Sequence, residues 1–262
     1  MSVEDVRTPS KIGPYRVLSS IARGGTGQVF EVEDPRSGEH LALKMLVHRG
    51  AALGRFYREY DAMIRLNHPN IIRVFHFGVH DDMPWQTMEL VTGTPVQAYI
   101  MRKGRPGDAR RIEEVIRLGH DIAQALHHVH RKGLVHRDLK SANLLVLPDG
   151  RIKLIDFGSV KILDGEALTR EGDFVGTFAY ASPEQLVAAP VDGRSDLYSL
   201  GVLLYRLTTG RRPFEHDDPT TLARMHLRQQ PQPPSELAPS IPPALDELIL
   251  RLLAKRREER PA

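Results

Sequence analysis

Residues 134–146 read LVHRDLKSANLLV. Two apolar flanks enclose a polar run in which an acid (Asp138), a base (Lys140) and an amide (Asn143) fall in one short stretch. The flanks carry the composition of short buried strands, so the polar groups between them are expected to be held in a tight loop. Downstream, after one more hairpin, IKLIDFGSV (152–160) sets Asp156 at the end of an apolar strand, with Gly158 allowing a sharp turn. Two carboxylates and an amide are thereby placed to converge.

Such an oxygen-donor set suits Mg²⁺, a hard cation that keeps waters and borrows phosphate oxygens from a bound nucleotide. Upstream, IARGGTGQVFEV (21–32) puts glycines between two predicted strands, where backbone N–H groups can approach phosphate oxygens without Cβ obstruction. A glycine-rich hairpin turn would read the same way. In LALK (41–44) Lys44 sits in an otherwise apolar strand, and Glu59 in GRFYREYDAM (54–63) is offered as its ion-pair partner.

The rest of the chain sorts into two textures. Residues 1–12 are a polar lead-in, and Tyr15 to Lys44 alternates short β-rich runs with turn signals such as DPRSG (34–38). A helix is expected over 54–66, then strands at NIIRVFHFGVH (70–80) and WQTMELV (85–91), with a break at Gly93 and Pro95. Beyond residue 96 long amphipathic segments dominate, among them IEEVIRLGHDIAQALHHVHRKG (112–133) and SDLYSLGVLLYRLTTG (195–210). The proline-rich RQQPQPPSELAPSIPP (228–243) reads as a surface connection.

Composition excludes several classes. The 262 residues carry 36 basic against 33 acidic side chains, a net charge of +3 without long blocks of one sign, so nucleic acid is not expected as a partner. Hydrophobic residues make up 41% and charged ones 26%, which fits a folded domain rather than a disordered one. Cysteine is absent, so neither disulfides nor cysteine-ligated metals are available. Neither a signal peptide nor a membrane span is expected within the chain, and the expected location is the cytoplasm, as a free protein or as the cytoplasmic domain of a larger or membrane-anchored one.

From about Tyr15 to Pro261 these motifs, in this order, resemble the eukaryotic-like serine/threonine protein kinases, with LNHPNII (66–72) and SPEQ (182–185) most like the bacterial branch. The resemblance implies an α+β bilobal fold: a β-rich N-terminal lobe with one main helix over about 13–91, and a mainly helical C-terminal lobe over about 92–262. It implies ATP and Mg²⁺, with Mn²⁺ as an alternative ion, and protein substrates, with a homodimer considered for autophosphorylation. Lys44 would hold the α- and β-phosphates and Glu59 would orient it. Asp138 would be the catalytic base, Lys140 would neutralise the γ-phosphate, and Asn143 and Asp156 would coordinate the metal. Ala22, Gly24, Gly25 and Gly27 would form the phosphate-covering loop. Val29, Ala42 and Leu145 would line the adenine slot, with Met88 as gatekeeper and the backbone of Glu89 and Val91 at the hinge. Glu184 would pair with Arg260, Asp196 would brace the catalytic loop, and Met63, Val74, His136 and Phe157 match the positions of a regulatory spine.

Thr177 and Lys140 resemble serine/threonine rather than tyrosine kinases. Thr169, in DGEALTREGDF (164–174), is the expected autophosphorylation site, with Arg137 and Lys161 as cations to receive its phosphate. Three positions depart from the family: Ala22 for the first loop glycine, Ser141 for the usual proline and Ser182 for the usual alanine. None removes a charged catalytic group. Family members continue past Arg260, whereas this chain stops at Ala262, so a C-terminal lobe cut short or running on into a longer protein is expected. A nucleotide-binding pseudokinase scaffold is the rival reading, disfavoured because Lys44, Asp138, Asn143 and Asp156 are all present; a small-molecule phosphotransferase is disfavoured by Thr177, SPE and Lys140. The histidines 120, 127, 128 and 130 read as a partly solvated helix end rather than a metal site.

Overall fold

The structure, a computed structural model, describes residues 9–24, 27–46, 60–156, 161–162 and 178–261, the pair 161–162 in backbone only. The chain divides into two compact units. One takes the described residues up to Asn67 together with Ile72–Thr92, the other His68–Ile71 and the described residues from Gly93 onward.

In the first unit, strands β1 (Lys11–Ile12), β2 (Tyr15–Gly24), β3 (Gly27–Glu33), β4 (His40–Leu46), β5 (Val74–His80) and β6 (Met83–Glu89) form an antiparallel sheet of order β1-β2-β3-β4-β6-β5. The β3–β4 turn is set by Asp34, whose carboxylate accepts from the Arg36 backbone N–H at 2.9 Å, and by Gly38 at φ 72°. The β5–β6 hairpin turns on Asp81 and Asp82, both with positive φ. Residues 60–63 are helical, and Tyr60 donates its hydroxyl to the Phe75 carbonyl at 2.8 Å.

Because directly opposed residues of an antiparallel pair share a face, the register assigns the two sides of this sheet. Ile12, Tyr15, Phe30, Val32, Leu41, Leu43 and Trp85 pack into one apolar core. The Trp85 indole stands edge-on to Tyr15 at 5.5 Å and fills the space where Gly13 and Gly78 have no side chain. Fully burying each of the larger side chains in this core is worth roughly 2–3 kcal/mol.

In the second unit, His68–Ile71 is stitched to the strand β10 (Ile152–Leu154). Asn70 donates its side-chain amide to the Ile152 carbonyl and accepts from the Leu154 N–H, both at 2.9 Å. These bonds group residues 68–71 with the second unit, and β5 begins at Val74 and not at Asn70 as the apolar pattern suggested. Helices α1 (Val96–Met101), α2 (Ala109–Arg131), α3 (Pro183–Leu186), α4 (Gly193–Thr209), α5 (Pro219–Arg228), α6 (Pro234–Leu237) and α7 (Pro243–Leu252) are the main regular elements of this unit. Helix α4 is apolar nearly all round and buried, which is the pattern of a central helix. It is capped by Asp192 and terminated by Gly210 in the left-handed conformation. Gly119 of α2 and Gly201 of α4 let it approach its neighbours: a Cβ at Gly119 would lie 2.9 Å from Leu204, and one at Gly201 would lie 2.8 Å from Leu252. The proline-rich connection is structured, since Pro234 and Pro243 each open a helix at a position where no backbone donor is needed.

Short strands complete the unit. β7 (Thr94–Pro95), β9 (Leu144–Val146) and β10 form one sheet, and β8 (Leu134–Val135) pairs with β11 (Lys161–Ile162). The loop between β8 and β9 carries Asp138, Lys140 and Asn143.

Candidate active site

On the first unit, the sheet face opposite the Trp85 core gathers one set of the expected residues. The pairings Gly24↔Gly27, Ala22↔Val29, Val29↔Lys44 and Ala42↔Met88 put Ala22, Gly24, Gly27, Val29, Ala42, Lys44 and Met88 on one side. Lys44 is 6% exposed on this face, with Gln86 directly opposite. The two described glycines of the hairpin differ. A Cβ at Gly27 would collide with the Met45 carbonyl oxygen, whereas one at Gly24 would meet nothing within 4 Å. Gly27 therefore serves the hairpin itself, and Gly24 leaves open space above the strand. Glu89 is tied at both ends to Arg73: its N–H donates to the Arg73 carbonyl at 2.9 Å, and its carboxylate accepts the Arg73 N–H at 2.8 Å. The Glu89 carbonyl and the half-buried Val91 follow directly where the first unit ends.

On the second unit, the polar loop closes on Asp138. Lys140 Nζ lies 3.0 and 2.7 Å from the two carboxylate oxygens of Asp138. Asn143 donates Nδ2 to the Asp138 carbonyl at 2.8 Å and to its Oδ2 at 3.1 Å. Both amide hydrogens are thus committed, which leaves the Asn143 Oδ1 as an oxygen donor. The Ile155 N–H donates to the Asn143 carbonyl at 2.9 Å, so Asp156 lies one residue beyond a bond to the amide-bearing residue. A carbonyl oxygen and a carboxylate, with no sulfur or imidazole among them, fit Mg²⁺. Leu145, in β9, stands opposite Pro95 and Lys153.

Asp196, fully buried near the start of α4, accepts the backbone N–H of His136 at 2.9 Å and of Arg137 at 2.8 Å. It also receives His130 Nε2 at 2.7 Å from the end of α2. The sequence pattern puts His130 at a partly solvated helix end, and a partner 66 residues away leaves no local signal of such a pairing. Gly193 makes room for that ring, since a Cβ there would lie 2.6 Å from His130 Nδ1. Glu184 meets Arg260 in a two-pronged ion pair at 2.7 and 2.9 Å and accepts the Ser195 hydroxyl at 2.6 Å. Burial alone would raise the Glu184 carboxyl, but the Arg260 and Ser195 bonds outweigh it and hold the group below its ordinary range.

Two of the three departures from the family pattern make specific bonds. Ser141 shares a buried hydrogen bond of 2.8 Å with the Tyr180 hydroxyl, to which Arg206 also donates at 2.9 Å. Ser182 caps α3 in a reciprocal box with Gln185, whose Nε2 donates to the Arg137 carbonyl at 2.8 Å. The expected positions Gly25, Glu59, Phe157, Thr169 and Thr177 lie outside the described residues, as does the side chain of Lys161. Among the described residues no group of three metal-ligating side chains is found. Of the α2 histidines, His120, His127 and His128 line one open groove with His68, whose ring lies 5.4 Å from that of His128, while His130 turns to Asp196.

The model of the protein kinase domain matches residues 15–262. The chain belongs to the protein kinase domain family. This kinase domain is 40% identical over 263 residues to the serine/threonine-protein kinase pkn3 of Myxococcus xanthus, an overlap of 95% of this chain and 47% of that protein. It is 36% identical over 254 residues to the DNA damage-responsive serine/threonine-protein kinase RqkA of Deinococcus radiodurans, covering 95% of this chain and 38% of that protein. To the serine/threonine-protein kinase PknA of Mycobacterium tuberculosis it is 36% identical over 252 residues, or 93% of this chain and 57% of that protein. The chain thus spans from somewhat under two fifths to somewhat over half the length of these relatives. The kinase domain has the β-rich and helical units of the α+β kinase fold, and its relatives are bacterial. Among the described residues no helix is long and apolar enough to cross a membrane.

Proposed function

We propose that this chain transfers the γ-phosphoryl group of ATP to serine and threonine hydroxyls of protein substrates, itself included. The observation that carries this reading is the closed set of bonds around Asp138, which aims a carboxylate with Lys140 at its oxygens and the Asn143 amide behind it. Asp138 accepts the proton of the substrate hydroxyl as its oxygen bonds to the γ-phosphorus; the bond from that phosphorus to the bridging oxygen breaks, and ADP leaves. Lys140 turns from Asp138 to the γ-phosphate oxygens, and Lys44 holds the α- and β-phosphates. Asn143 Oδ1 and Asp156 would hold Mg²⁺, or Mn²⁺ in its place, which when bound supplies charge neutralisation between the phosphates. Ala22, Gly24, Gly25, Gly27, Val29, Ala42 and Leu145 would enclose the nucleotide, with Met88, Glu89 and Val91 at its adenine edge.

Glu59 as partner of Lys44, Thr177 beside the peptide and Thr169 as a self-phosphorylated switch belong to the same proposal, as do lobes of about 13–91 and 92–262 and a cytoplasmic site of action. The protein is incubated with labelled ATP and Mg²⁺, alone and with a generic basic protein, beside Asp138→Asn and Asp156→Asn variants. Transfer to Ser and Thr that both variants lose supports the reading. Asp138→Asn should keep ATP affinity, and near-normal transfer by Asp156→Asn would remove the metal assignment. Mass spectrometry of the same samples checks Thr169: phosphate there in the active protein and not in Asp138→Asn is expected.

A further inference from the structure

The peptide plane that leads into Asp138 is bonded at both of its polar ends. Its N–H, that of Asp138, lies 3.3 Å from His136 Nδ1, and its C=O, that of Arg137, accepts Gln185 Nε2 at 2.8 Å. Arg137 itself is left-handed at φ 67°, a conformation a non-glycine residue keeps only when its surroundings enforce it. Asp196 holds the preceding plane through the Arg137 N–H, and Gln185 holds the carbonyl.

Gln185 is well suited to that task because both ends of its amide are engaged. Its Oε1 accepts the Ser182 backbone N–H at 3.0 Å, and a backbone N–H can only donate. The oxygen must therefore face Ser182, and the NH₂ must face Arg137. The Ser182 hydroxyl adds a second bond to the same Oε1 at 3.0 Å. Ser182 and Gln185 thus form one rigid unit at the start of α3, whose Glu184 is anchored to Arg260.

We propose that Gln185 is a positioning residue for the transfer step: it pins the Arg137–Asp138 peptide plane and so aims the Asp138 carboxylate at the substrate hydroxyl. The proposal rests on the reading of Asp138 as the base. Without the Gln185 donor the carbonyl of the strained plane loses an anchor, and the carboxylate, still met by Lys140 and Asn143, is aimed less well, while no residue of the nucleotide-holding face is changed.

The test compares wild type with Gln185→Ala and Gln185→Glu in steady-state transfer to a Ser/Thr peptide from pH 5 to 8.5, with thermal melting and amide hydrogen exchange of residues 136–139 measured in parallel. Gln185→Ala is expected to lower kcat about tenfold with KM for ATP unchanged. Gln185→Glu is expected to be at least as slow at pH 8, because a carboxylate cannot donate to the Arg137 carbonyl. Its rate relative to wild type should recover as pH falls, since a protonated carboxyl regains a donor. Both variants should exchange faster over 136–139. Equal kcat in all three proteins, or a ratio of Gln185→Glu to wild type that stays flat with pH while both variants merely melt lower, would overturn the positioning role. If wild type itself transfers nothing, the exchange data still judge the clamp: faster exchange in the variants would uphold it and overturn the reading of Asp138, and unchanged exchange would overturn both.

Discussion

The guanidinium of Arg260 commits all five of its hydrogens to described partners, and two of them go side by side to Glu184. The others reach the carbonyls of Ala254, Arg194 and Lys255, with the group stacked 4.9 Å from the Tyr198 ring. One cation therefore joins α3, the start of α4 and the segment after α7.

Lysine cannot reproduce that fork, so Arg260→Lys should destabilise the second unit by about 3 kcal/mol, much of it from a buried Glu184 left half-paired. Chemical denaturation measures the loss. A midpoint within error of wild type would show the pair to be dispensable.

The same region makes stability depend on acid. Burial, with Lys255 and Arg212 nearby, pushes His226 down to about 3, and His226 Nδ1 shares a hydrogen bond of 2.9 Å with the Tyr198 hydroxyl. The unfolded histidine binds its proton near 6.5, so between 6.5 and about 3 the unfolded state holds the extra proton and stability falls as pH falls. The slope approaches about 1.4 kcal/mol per pH unit in the middle of that window. Glu184, also held low, adds to the loss in the same direction at its acid end. Denaturation curves from pH 7 to 4 should be steeper for wild type than for His226→Gln, and parallel curves would refute the assignment.

Two neighbouring glycines should behave oppositely. Gly27→Ala forces a methyl into the Met45 carbonyl and should cost ~2 kcal/mol or more, seen as a lower melting temperature. Gly24→Ala places its methyl in open space and should leave stability within ~0.5 kcal/mol while weakening ATP binding, as titration with a nucleotide analogue would register.

Removing the Ser141 hydroxyl should cost ~1 kcal/mol, because Tyr180 keeps Arg206 as a partner. Ser141→Pro, the family's usual residue, should cost about the same as Ser141→Ala, since position 141 opens a 3-10 turn where proline is accommodated. A proline variant that fails to fold would show that the backbone here differs from the family's.

That Lys140 and Asn143 meet Asp138 was legible from the chain alone, because the three fall in one short loop between apolar flanks. The strand-rich first part and helical second part were legible too, since alternation and helical periodicity are local properties. The β5 start was not: the run from Ile71 reads as one strand rich in apolar residues, and bonds such as those from Asn70 to Ile152 and Leu154 assign its first residues to the other unit. Nor does any local pattern show that His130 meets Asp196, that Ser141 meets Tyr180, or that Gln185 holds the carbonyl before Asp138. Those pairings join residues 39 to 66 positions apart through directional hydrogen bonds. The sequence determined which groups are available; the packing of α2, α3 and α4 around one loop decided which of them meet, because a hydrogen bond depends on position in space and leaves no periodic trace in the chain.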